Sequence, residues 1–316
     1  MRAERSAVSP VKIFILDSIH SAGVEYAAKH FEVVRWDDPR VKNWPEEADG
    51  VMVRGSKIRA EDLARAKKVK IISKQGVGYD NIDVAAAKQH GIPVVRTPGV
   101  NKEAVAELAL GLAIAVGRRI VELDRRVRSQ EKLDRTKILG VEMWGKTVGI
   151  VGVGNIGSRV AHKWRSAFEC KVVGYDPHRK LSIPQAPTLE ELLEKADLVS
   201  LHVPLNEETK YLIGKRELAL MKPTAILVNT CRGGVVDEAA LYAALKAGKL
   251  FGAGIDVWEV ETPRVDSRLL ELPNVVCTPH AAGGTEETQI RSALKVAEQA
   301  VDVLNGKPPI EENRVA

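Results

Sequence analysis

The glycine-rich turn "GVGNIG" constrains the fold of this chain more than any other stretch of its sequence. It follows the apolar run "KTVGIV", precedes the helical pattern "SRVAHKW", and places Gly152, Gly154 and Gly157 in the spacing G-x-G-x-x-G. The first glycine permits a tight turn, the second lets a pyrophosphate approach the backbone, and the third lets the following helix pack on the strand. The pattern predicts the opening strand, turn and helix of a dinucleotide-binding domain, although it lies near the middle of the 316 residues.

An acidic residue ends the next predicted strand, in "VVGYDP". A carboxylate at the position of Asp176 accepts hydrogen bonds from an adenosine ribose and repels a 2′-phosphate, so the sequence favours NAD over NADP. His178 and Arg179 weaken that preference slightly because they are basic and lie nearby. The strand, the turn, the helix and the acid together predict NAD as the cofactor.

Short β-rich runs alternate with helical patterns along the chain, and the runs are apolar on both faces. Strands of this kind, separated by helices, indicate parallel sheets that are covered on both sides. The pattern predicts two doubly wound α/β sheets, one before Asn101 and one after Lys146. The predicted strands are "VKIFILD", "FEVVRW", "DGVMVRG", "VKIISKQG" and "IPVVRTP" in the first sheet, and "KTVGIVG", "KVVGYD", "ADLVSLHV", "AILVNT", "FGAGIDV" and "NVVCTP" in the second.

One long helix is predicted between the two sheets, over the whole of "NKEAVAELALGLAIAVGRRIVELDRRV". Asn101 is its expected N-cap, and Glu103 and Glu107 lie near its positive end. An earlier helix is expected to end at Gly91, which stands in the C-cap place. A last amphipathic helix is expected after Gly284.

Composition excludes several classes of protein. Basic and acidic residues number 47 and 42 and are interleaved, so the basic run "GRRIVELDRRVRSQEKLDRTK" is interpreted as a solvated helix face, and no nucleic-acid partner is expected. The three widely spaced cysteines and seven scattered histidines predict neither a disulfide framework nor a metal site. No stretch has the apolar length of a membrane span or of a secretory signal, and a cytosolic protein is therefore expected.

Four polar residues follow predicted strands of the second sheet, at the edge where open α/β sheets bind ligands. They are Arg232, Asp256, Glu261 and His280. An Arg can donate two parallel hydrogen bonds to a carboxylate and polarise the adjacent carbonyl. A His can exchange a hydroxyl proton while a hydride is transferred to or from the carbon, and a carboxylate can hold the imidazolium in place. The set suits redox chemistry of a 2-oxo or 2-hydroxy acid, although each residue taken alone is also compatible with a cap, a surface charge or a turn.

Several motifs, in this order, resemble signatures of the D-isomer-specific 2-hydroxyacid dehydrogenase family: "GVGYDNID", "GKTVGIVGVGNIG", "RGGVVDEAAL", "AGIDVWEVETP", "TPHAAGGT" and the closing "NRV". The resemblance covers nearly the whole chain from about Val11. It implies an α/β fold of two doubly wound parallel-sheet domains, with a Rossmann NAD domain inserted into a flavodoxin-like substrate domain. The substrate domain would comprise residues 1–101 and 287–316, and the dinucleotide-binding domain residues 102–286, through which the chain would form a homodimer.

The resemblance also implies roles for individual residues. Arg232 would bind the substrate carboxylate and carbonyl, and His280 would be the acid/base. Glu261 would orient the ring of His280 and favour its protonated form. The backbone N–H groups of Val77 and Gly78 would hold the substrate carboxylate. The residues expected to bind the cofactor are Gly152, Gly154, Asn155, Ile156, Gly157, Tyr175, Asp176, Pro177, His202, Val203, Pro204, Thr209, Thr230, Cys231 and Asp256.

The segment "VMVRGSKI" narrows the choice of small-molecule substrate. It is similar to the segment of 3-phosphoglycerate dehydrogenases in which an Arg meets the substrate phosphate, so Arg54 and Ser56 are expected substrate contacts, with Arg135 as a second cation. The leading substrate is therefore 3-phosphoglycerate or phosphohydroxypyruvate. Glyoxylate and hydroxypyruvate reductases of the family also carry an Arg at this position, and they are the alternative. A hypothesis of another class is an NAD(H)-sensing binding protein, because co-repressors of the same fold keep the Arg–Glu–His set.

Overall fold

The computed structural model describes residues 10–261 and 266–316. The first residues and the end of the motif "AGIDVWEVETP" therefore lie outside the described residues. The chain divides into two compact units, of which one comprises the described part of Met1–Asn101 with Thr285–Ala316, and the other comprises Lys102–Gly284. Each unit is built on one parallel sheet with helices, which confirms the predicted fold class. The assignment of substrate binding to the first unit stays a prediction.

The first unit has a five-stranded parallel sheet in the order β2-β1-β3-β4-β5, the flavodoxin-like arrangement. Its strands are β1 Lys12–Ile15, β2 Glu32–Val34, β3 Gly50–Val53, β4 Ile71–Lys74 and β5 Val94–Arg96. Alternate residues of a strand point to opposite faces, so Phe14 packs into one core while Ile13 and Ile15 pack into another with the C-terminal helix. The sheet is thus buried on both faces, as the continuous apolar runs predict.

The second unit has a six-stranded parallel sheet in the order β11-β10-β9-β8-β6-β7. Its strands are β6 Thr147–Val151, β7 Lys171–Tyr175, β8 Leu198–Leu201, β9 Ile226–Asn229, β10 Gly252–Ile255 and β11 Val275–Cys277. A single parallel bridge between Gly174 and Gln185 adds a further pairing beside β7. The chain reverses its direction across the sheet between β6 and β8, so the glycine turn that follows β6 lies at the switch point where such sheets bind ligands.

The helices cover the sheets and connect their strands. The α-helices, numbered along the whole chain, are α1 Ser21–Ala28, α2 Trp44–Glu47, α3 Ala60–Arg65, α4 Val84–Gln89, α5 Lys102–Gly117, α6 Ile120–Arg128, α7 Asn155–Phe168, α8 Leu189–Lys195, α9 Lys215–Leu220, α10 Glu238–Lys246 and α11 Glu286–Leu304. Short 3₁₀ segments lie at Pro39–Asn43, Arg135–Lys137, Gly233–Val235, Arg268–Glu271 and Glu311–Asn313. Gly91, with a φ of +66°, follows α4 as predicted. No described helix has the length and apolarity needed to cross a membrane.

The C-terminal segment completes the first unit. Ser73 on β4 donates a hydrogen bond of 2.8 Å to the Val296 carbonyl of α11. A Cβ atom at Gly23 of α1 would overlap the backbone of Ala293, so this glycine permits the close approach of α1 to α11. Because these contacts join residues from both ends of the sequence, the sheet of the first unit depends on the last helix for one of its covers.

The prediction of one long helix after Asn101 is wrong in two respects. It consists of two helices, α5 and α6, because Arg119 adopts a left-handed conformation with a φ of +55° and interrupts the helical path. The Arg119 guanidinium donates to Glu122 at 2.8 and 2.6 Å and so stabilises the start of α6. The predicted N-cap is also wrong, since the buried Oδ1 of Asn101 accepts no hydrogen bond within the described residues. Glu103, in the first turn of α5, forms an ion pair with Arg159 at 2.6 Å.

Candidate active site

The glycine turn has the backbone geometry that its spacing predicts. Gly152 has a φ of +84°, in the left-handed region that favours glycine. A Cβ atom at Gly152 would lie 2.6 Å from the His202 carbonyl oxygen, and one at Gly157 would overlap the Gly152 carbonyl oxygen. A Cβ atom at Gly154 would meet no atom within 4 Å. Two of the glycines are therefore required by packing, and the third leaves open space beside the backbone.

The start of α7 and the end of β7 offer groups that suit a dinucleotide. No side chain caps the first turn of α7, so its N–H groups, at the positive end of the helix dipole, are suited to a phosphate. Asp176 accepts a hydrogen bond of 3.1 Å from the Val153 amide and, through its other oxygen, one of 3.1 Å from the His178 amide. Each carboxylate oxygen keeps a further lone pair for a ribose hydroxyl. The residues present therefore fit NAD.

Two buried polar atoms at the ends of β8 and β9 have no hydrogen-bond partner among residues 10–261 and 266–316. They are Nδ1 of His202 and Oγ1 of Thr230. The other ring nitrogen of His202 lies 2.9 Å from Oγ of Ser200, and burial lowers the pKa of His202 to about 3, so the ring is neutral. Because a buried polar atom without a partner is costly, a ligand that pairs with these atoms would be stabilised. Both residues are among those predicted to bind the cofactor.

The remaining residues predicted to contact the cofactor lie on the same elements. Oγ1 of Thr209 donates to the Pro204 carbonyl at 2.6 Å and so closes the loop after β8. The Cys231 thiol, which follows β9, donates to Oδ1 of Asn229 at 3.0 Å, and burial raises the pKa of Cys231 to about 11. That thiol is therefore protonated at neutral pH. Asn155 and Ile156 open α7, Tyr175 and Pro177 flank Asp176, and Val203 follows His202.

His280 and Glu261 form a hydrogen-bonded pair. Nδ1 of His280 lies 2.9 Å from Oε2 of Glu261, and Oε1 of Glu261 accepts a hydrogen bond of 3.1 Å from the Trp258 amide. Burial alone would raise the pKa of Glu261, but the hydrogen bonds from His280 and the Trp258 amide, with the charge of Arg232, outweigh burial and lower the pKa. The carboxylate is therefore ionised at neutral pH, and it fixes the imidazole through Nδ1 while Nε2 remains the atom for proton exchange.

Asp256 fixes the turn that carries His280. Its fully buried carboxylate accepts hydrogen bonds from Oγ1 of Thr278 at 2.6 Å and from the amides of Ala281 at 2.7 Å and Ala282 at 3.1 Å. Its backbone carbonyl accepts the His280 amide at 2.7 Å. His280 has a φ of +54°, an uncommon conformation for a residue other than glycine. Three of the four hydrogen bonds hold the backbone at and after His280, and the fourth holds the side chain of Thr278 before it.

Arg232 follows β9 in a turn that Asn229 organises. Nδ2 of the buried Asn229 donates to the Arg232 carbonyl at 2.9 Å, and its Oδ1 accepts the Cys231 amide at 3.1 Å. Nη1 of Arg232 donates to the Cys231 carbonyl at 2.7 Å. Arg232, Glu261 and His280 thus follow β9, β10 and β11, three neighbouring strands, and the structure brings them to one edge of the second sheet.

The first unit holds the loop that contains Arg54 and Ser56 by its backbone. The Asp17 carboxylate accepts hydrogen bonds from the amides of Arg54 at 2.6 Å, Gly55 at 3.0 Å and Ser56 at 2.9 Å, and from Oγ of Ser56 at 2.7 Å. The Arg54 side chain is exposed, and no carboxylate of the described chain pairs with it. The backbone of the loop is therefore fixed while the guanidinium is available to an anion.

The buried Lys74 connects this loop to the residues before Val77. Its Nζ donates to the Arg54 carbonyl at 2.6 Å and to the Gln75 carbonyl at 2.8 Å. The amides of Val77 and Gly78, which were predicted to hold the substrate carboxylate, donate to no backbone or side-chain group in the described part of the chain. These amides are therefore available as anion donors.

Arg135 belongs to the second unit, where it opens an exposed 3₁₀ segment. Its predicted role as a second cation for a phosphate stays a prediction. Among residues 10–261 and 266–316, no group of three or more His, Cys, Asp or Glu side chains is placed to hold a metal ion.

Sequence reasoning missed the residues that hold the functional loops in place. Asp17 and Asn229 each fix the backbone of a predicted site residue, Trp258 holds the side-chain carboxylate of another, and each of the three lies at or just beyond a strand end. Asn229 and Trp258 stand inside the motifs "LVNTCRGG" and "AGIDVWEV". Their position was visible in the sequence, but their hydrogen-bond partners could not be identified from it, so their role required the structure.

Comparison with known proteins gives consistent matches. The family model for "D-isomer specific 2-hydroxyacid dehydrogenase, NAD binding domain" matches residues 110–282. Glyoxylate reductase of Korarchaeum cryptofilum is 42% identical over 314 aligned positions, and the match covers 94% of this chain and 94% of that protein. D-3-phosphoglycerate dehydrogenase of Methanocaldococcus jannaschii is 39% identical over 94% of this chain, but this chain spans only 58% of that protein. A solved structure of D-lactate dehydrogenase from Aquifex aeolicus, complexed with NAD and lactic acid, has a TM-score of 0.85 at 30% identity and covers 96% of this chain and 98% of its own.

Proposed function

This chain belongs to the D-isomer-specific 2-hydroxyacid dehydrogenase family and is an NAD-dependent oxidoreductase, and on that basis we propose that it interconverts a D-2-hydroxy acid and its 2-oxo acid. The observation that carries the proposal is the 2.9 Å contact between His280 and Glu261, at the sheet edge where Arg232 also lies. Acid/base exchange and carboxylate recognition are the two tasks that this reaction requires of side chains.

His280 is the proposed acid/base. In the reducing direction, its imidazolium donates the Nε2 proton to the carbonyl oxygen of the 2-oxo acid as that oxygen gains negative charge. Glu261 holds the ring through Nδ1 and so fixes its orientation before the proton is transferred. When bound, the reduced nicotinamide supplies the hydride that adds to the carbonyl carbon. In the oxidising direction, neutral His280 accepts the hydroxyl proton.

Arg232 is the proposed anchor of the substrate. A guanidinium can donate two parallel hydrogen bonds to a carboxylate and can polarise the neighbouring carbonyl. The turn of Arg232 is fixed by Asn229, so the backbone of this residue is ordered before a substrate binds. The fully buried carboxylate of Asp256 already accepts three hydrogen bonds from the turn of His280, and its contact with the nicotinamide carboxamide stays a prediction.

The leading substrate pair remains 3-phosphoglycerate and phosphohydroxypyruvate. The exposed guanidinium of Arg54, on a loop that Asp17 fixes with four hydrogen bonds, supports an anion beyond the carboxylate. Glyoxylate and hydroxypyruvate are the alternative, because the matched relatives include both glyoxylate reductases and phosphoglycerate dehydrogenases. The amides of Val77 and Gly78 would bind the carboxylate of either substrate.

Steady-state kinetics with NADH test the function. Phosphohydroxypyruvate, hydroxypyruvate, glyoxylate and branched 2-oxo acids are compared, with NADPH as the cofactor control. We expect turnover of at least one of these acids, and a loss in kcat of about 100- to 10,000-fold in His280→Ala, because general acid catalysis contributes that much. Folded protein that binds NADH but turns over none of the acids would refute the proposal and would favour the NAD(H)-sensing alternative.

Substitution of Arg54 tests the choice of substrate. Arg54→Met should raise KM for phosphohydroxypyruvate by about 10- to 100-fold, the value of a charge-assisted hydrogen bond, and should change KM for glyoxylate little. Lys42→Met is the matched control, because it removes an exposed positive charge of the same unit outside this loop. Equal losses for phosphorylated and unphosphorylated acids in Arg54→Met would contradict the phosphate assignment.

A homodimer through the second unit is also proposed. Ile120, Val127, Leu139 and Trp144 are between 50% and 71% exposed, and all four belong to one segment of that unit. Large apolar side chains so exposed in one segment are typical of an interface. Val127→Glu with Leu139→Glu should convert the protein to a monomer in light scattering, whereas a wild-type monomer would contradict the proposal.

The cytosolic location stays a prediction. It is supported by the three cysteines, which are all unpaired, since disulfides are rare in reducing compartments.

A further inference from the structure

We propose that Trp258 is a positioning residue for the catalytic set, and that its indole N–H aligns Glu261 with His280. The inference rests on the proposed function, because it takes His280 as the acid/base. Trp258 itself would touch neither substrate nor cofactor; it acts through the two residues of the pair.

Trp258 contacts the segments that carry all three catalytic residues. Its backbone amide donates to Oε1 of Glu261 at 3.1 Å, and its indole Nε1 donates to the Thr278 carbonyl at 3.0 Å, two residues before His280. A Cβ atom at Gly233, the residue after Arg232, would overlap the Trp258 carbonyl. The backbone of Trp258 therefore lies directly against the turn of Arg232. One residue thus joins the ends of β9, β10 and β11.

The indole hydrogen bond links Trp258 to the turn that carries His280. Trp258 is only 4% exposed, and an indole has a single donor, which needs a partner when it is buried. Its partner, Thr278, belongs to the turn of His280, while the amide of the same residue holds the carboxylate of Glu261. Trp258 therefore contacts both the carboxylate of Glu261 and the turn that carries His280.

The turn of His280 needs such a restraint. A φ of +54° costs a residue with a Cβ about 1 kcal/mol or more. Asp256 holds the amides after His280, at Ala281 and Ala282. Before His280, the Asp256 carboxylate holds the side chain of Thr278, the Ile255 carbonyl accepts the Thr278 amide at 3.0 Å, and the indole of Trp258 holds the Thr278 carbonyl. Loss of the indole bond would leave the Thr278 carbonyl without its donor, while the amides of Thr278 and His280 would keep their backbone partners.

A purely structural role is the competing explanation. Trp258 packs in the core cluster that includes Val235, Leu241 and Ile255, and packing requires only a ring of suitable size. The two explanations differ in what the N–H group does, and therefore a variant that removes this group while keeping the ring distinguishes them. Trp258→Phe removes the group with part of the ring. Replacement by β-(3-benzothienyl)alanine keeps both rings and exchanges N–H for sulfur.

The experiment compares these two variants in the wild-type and Glu261→Gln backgrounds. We measure kcat, KM for NADH, the pH dependence of kcat/KM for the 2-oxo acid, and Tm. Both variants should lower kcat by about three- to tenfold, the net value of one hydrogen bond, with KM for NADH unchanged. In both variants, the pH midpoint of kcat/KM for the 2-oxo acid should shift in the same direction as it does in Glu261→Gln. In the Glu261→Gln background neither variant should lower kcat further, because the pair through which Trp258 acts is already broken.

A benzothienyl variant with wild-type kcat and pH profile would overturn the inference, whatever its Tm. So would a loss in kcat that is equally large in the Glu261→Gln background. Both of these results leave the proposed function intact, since wild-type turnover and its loss in His280→Ala are measured separately. Absence of turnover in the wild type would overturn the proposed function and, with it, this inference.

Discussion

Gly154→Ala separates cofactor binding from folding more sharply than any other substitution in the glycine turn. The φ of Gly154 is −82°, which alanine adopts without strain, and a Cβ atom there would meet nothing within 4 Å. The free energy of unfolding should therefore change by no more than about 0.5 kcal/mol. The new methyl group would occupy the open space through which a pyrophosphate approaches the backbone. We expect the Kd for NADH to rise about tenfold or more, which corresponds to about 1.4 kcal/mol.

Gly152→Ala is the matched control, because it should affect both properties. Its φ of +84° costs alanine about 1–2 kcal/mol, and its Cβ would lie 2.6 Å from the His202 carbonyl oxygen and 2.8 Å from Cγ1 of Val203. Tm should fall by about 2–4 °C for each kcal/mol lost. NADH fluorescence titration gives the affinities and calorimetry gives Tm. A Gly154→Ala protein that binds NADH like the wild type would refute the assignment of this glycine to the phosphate.

The site residues themselves make three further predictions. Alkylation of Cys231 by iodoacetamide at neutral pH should be slower than that of an ordinary thiol by about 100-fold, because burial raises its pKa from 9.0 to about 11 and the thiolate is the reactive form, and labelling as fast as in a free cysteine would contradict this. The pKa of Glu261 is lowered on folding, so its stabilisation is present above the unfolded pKa of about 4.3 and is lost as pH falls through the lower folded value. Glu261→Gln should therefore be less stable than the wild type at pH 7 in thermal unfolding, and that difference should disappear in acid; a difference that persists there would exclude ionisation as its cause. Asp256→Asn should lower kcat more than it raises the Kd for NADH, because the carboxylate holds the turn of His280, and an effect on NADH binding alone would contradict that role.

Much of the fold could be predicted from the sequence, because its signals are local. The apolar runs identify all the strands named in advance, and Gly91 marks a helix end through its own backbone. The break between α5 and α6 could not be predicted, since the helical pattern continues on both sides of Arg119 and only the conformation of that residue interrupts it. The failed N-cap has a similar cause: Asn101 is a favourable cap residue, but its surroundings bury the side-chain oxygen without a donor from the described chain.

The candidate site was predictable only in part. Arg232, Glu261 and His280 are predictable as site residues because they follow strands, and parallel strands bring such residues to one edge of the sheet. The residues that hold the site residues in place could not be predicted from the sequence. Asp17 meets Arg54 across 37 positions of the chain, and Trp258 meets Thr278 across 20. Such contacts depend on how loops fold back over the sheet edge, and the spacing of residues in the sequence carries no signal for them.

The fate of the hydride shows whether this protein produces a D-2-hydroxy acid from its 2-oxo acid. The protein is given NADH that carries deuterium at both positions of carbon 4 of the nicotinamide, together with a 2-oxo acid that it reduces to a chiral product, and the product is analysed by mass spectrometry and chiral chromatography. We expect a D-2-hydroxy acid with deuterium at carbon 2, and almost no product from His280→Ala. An L-hydroxy acid, or a product without the label at carbon 2, would contradict it.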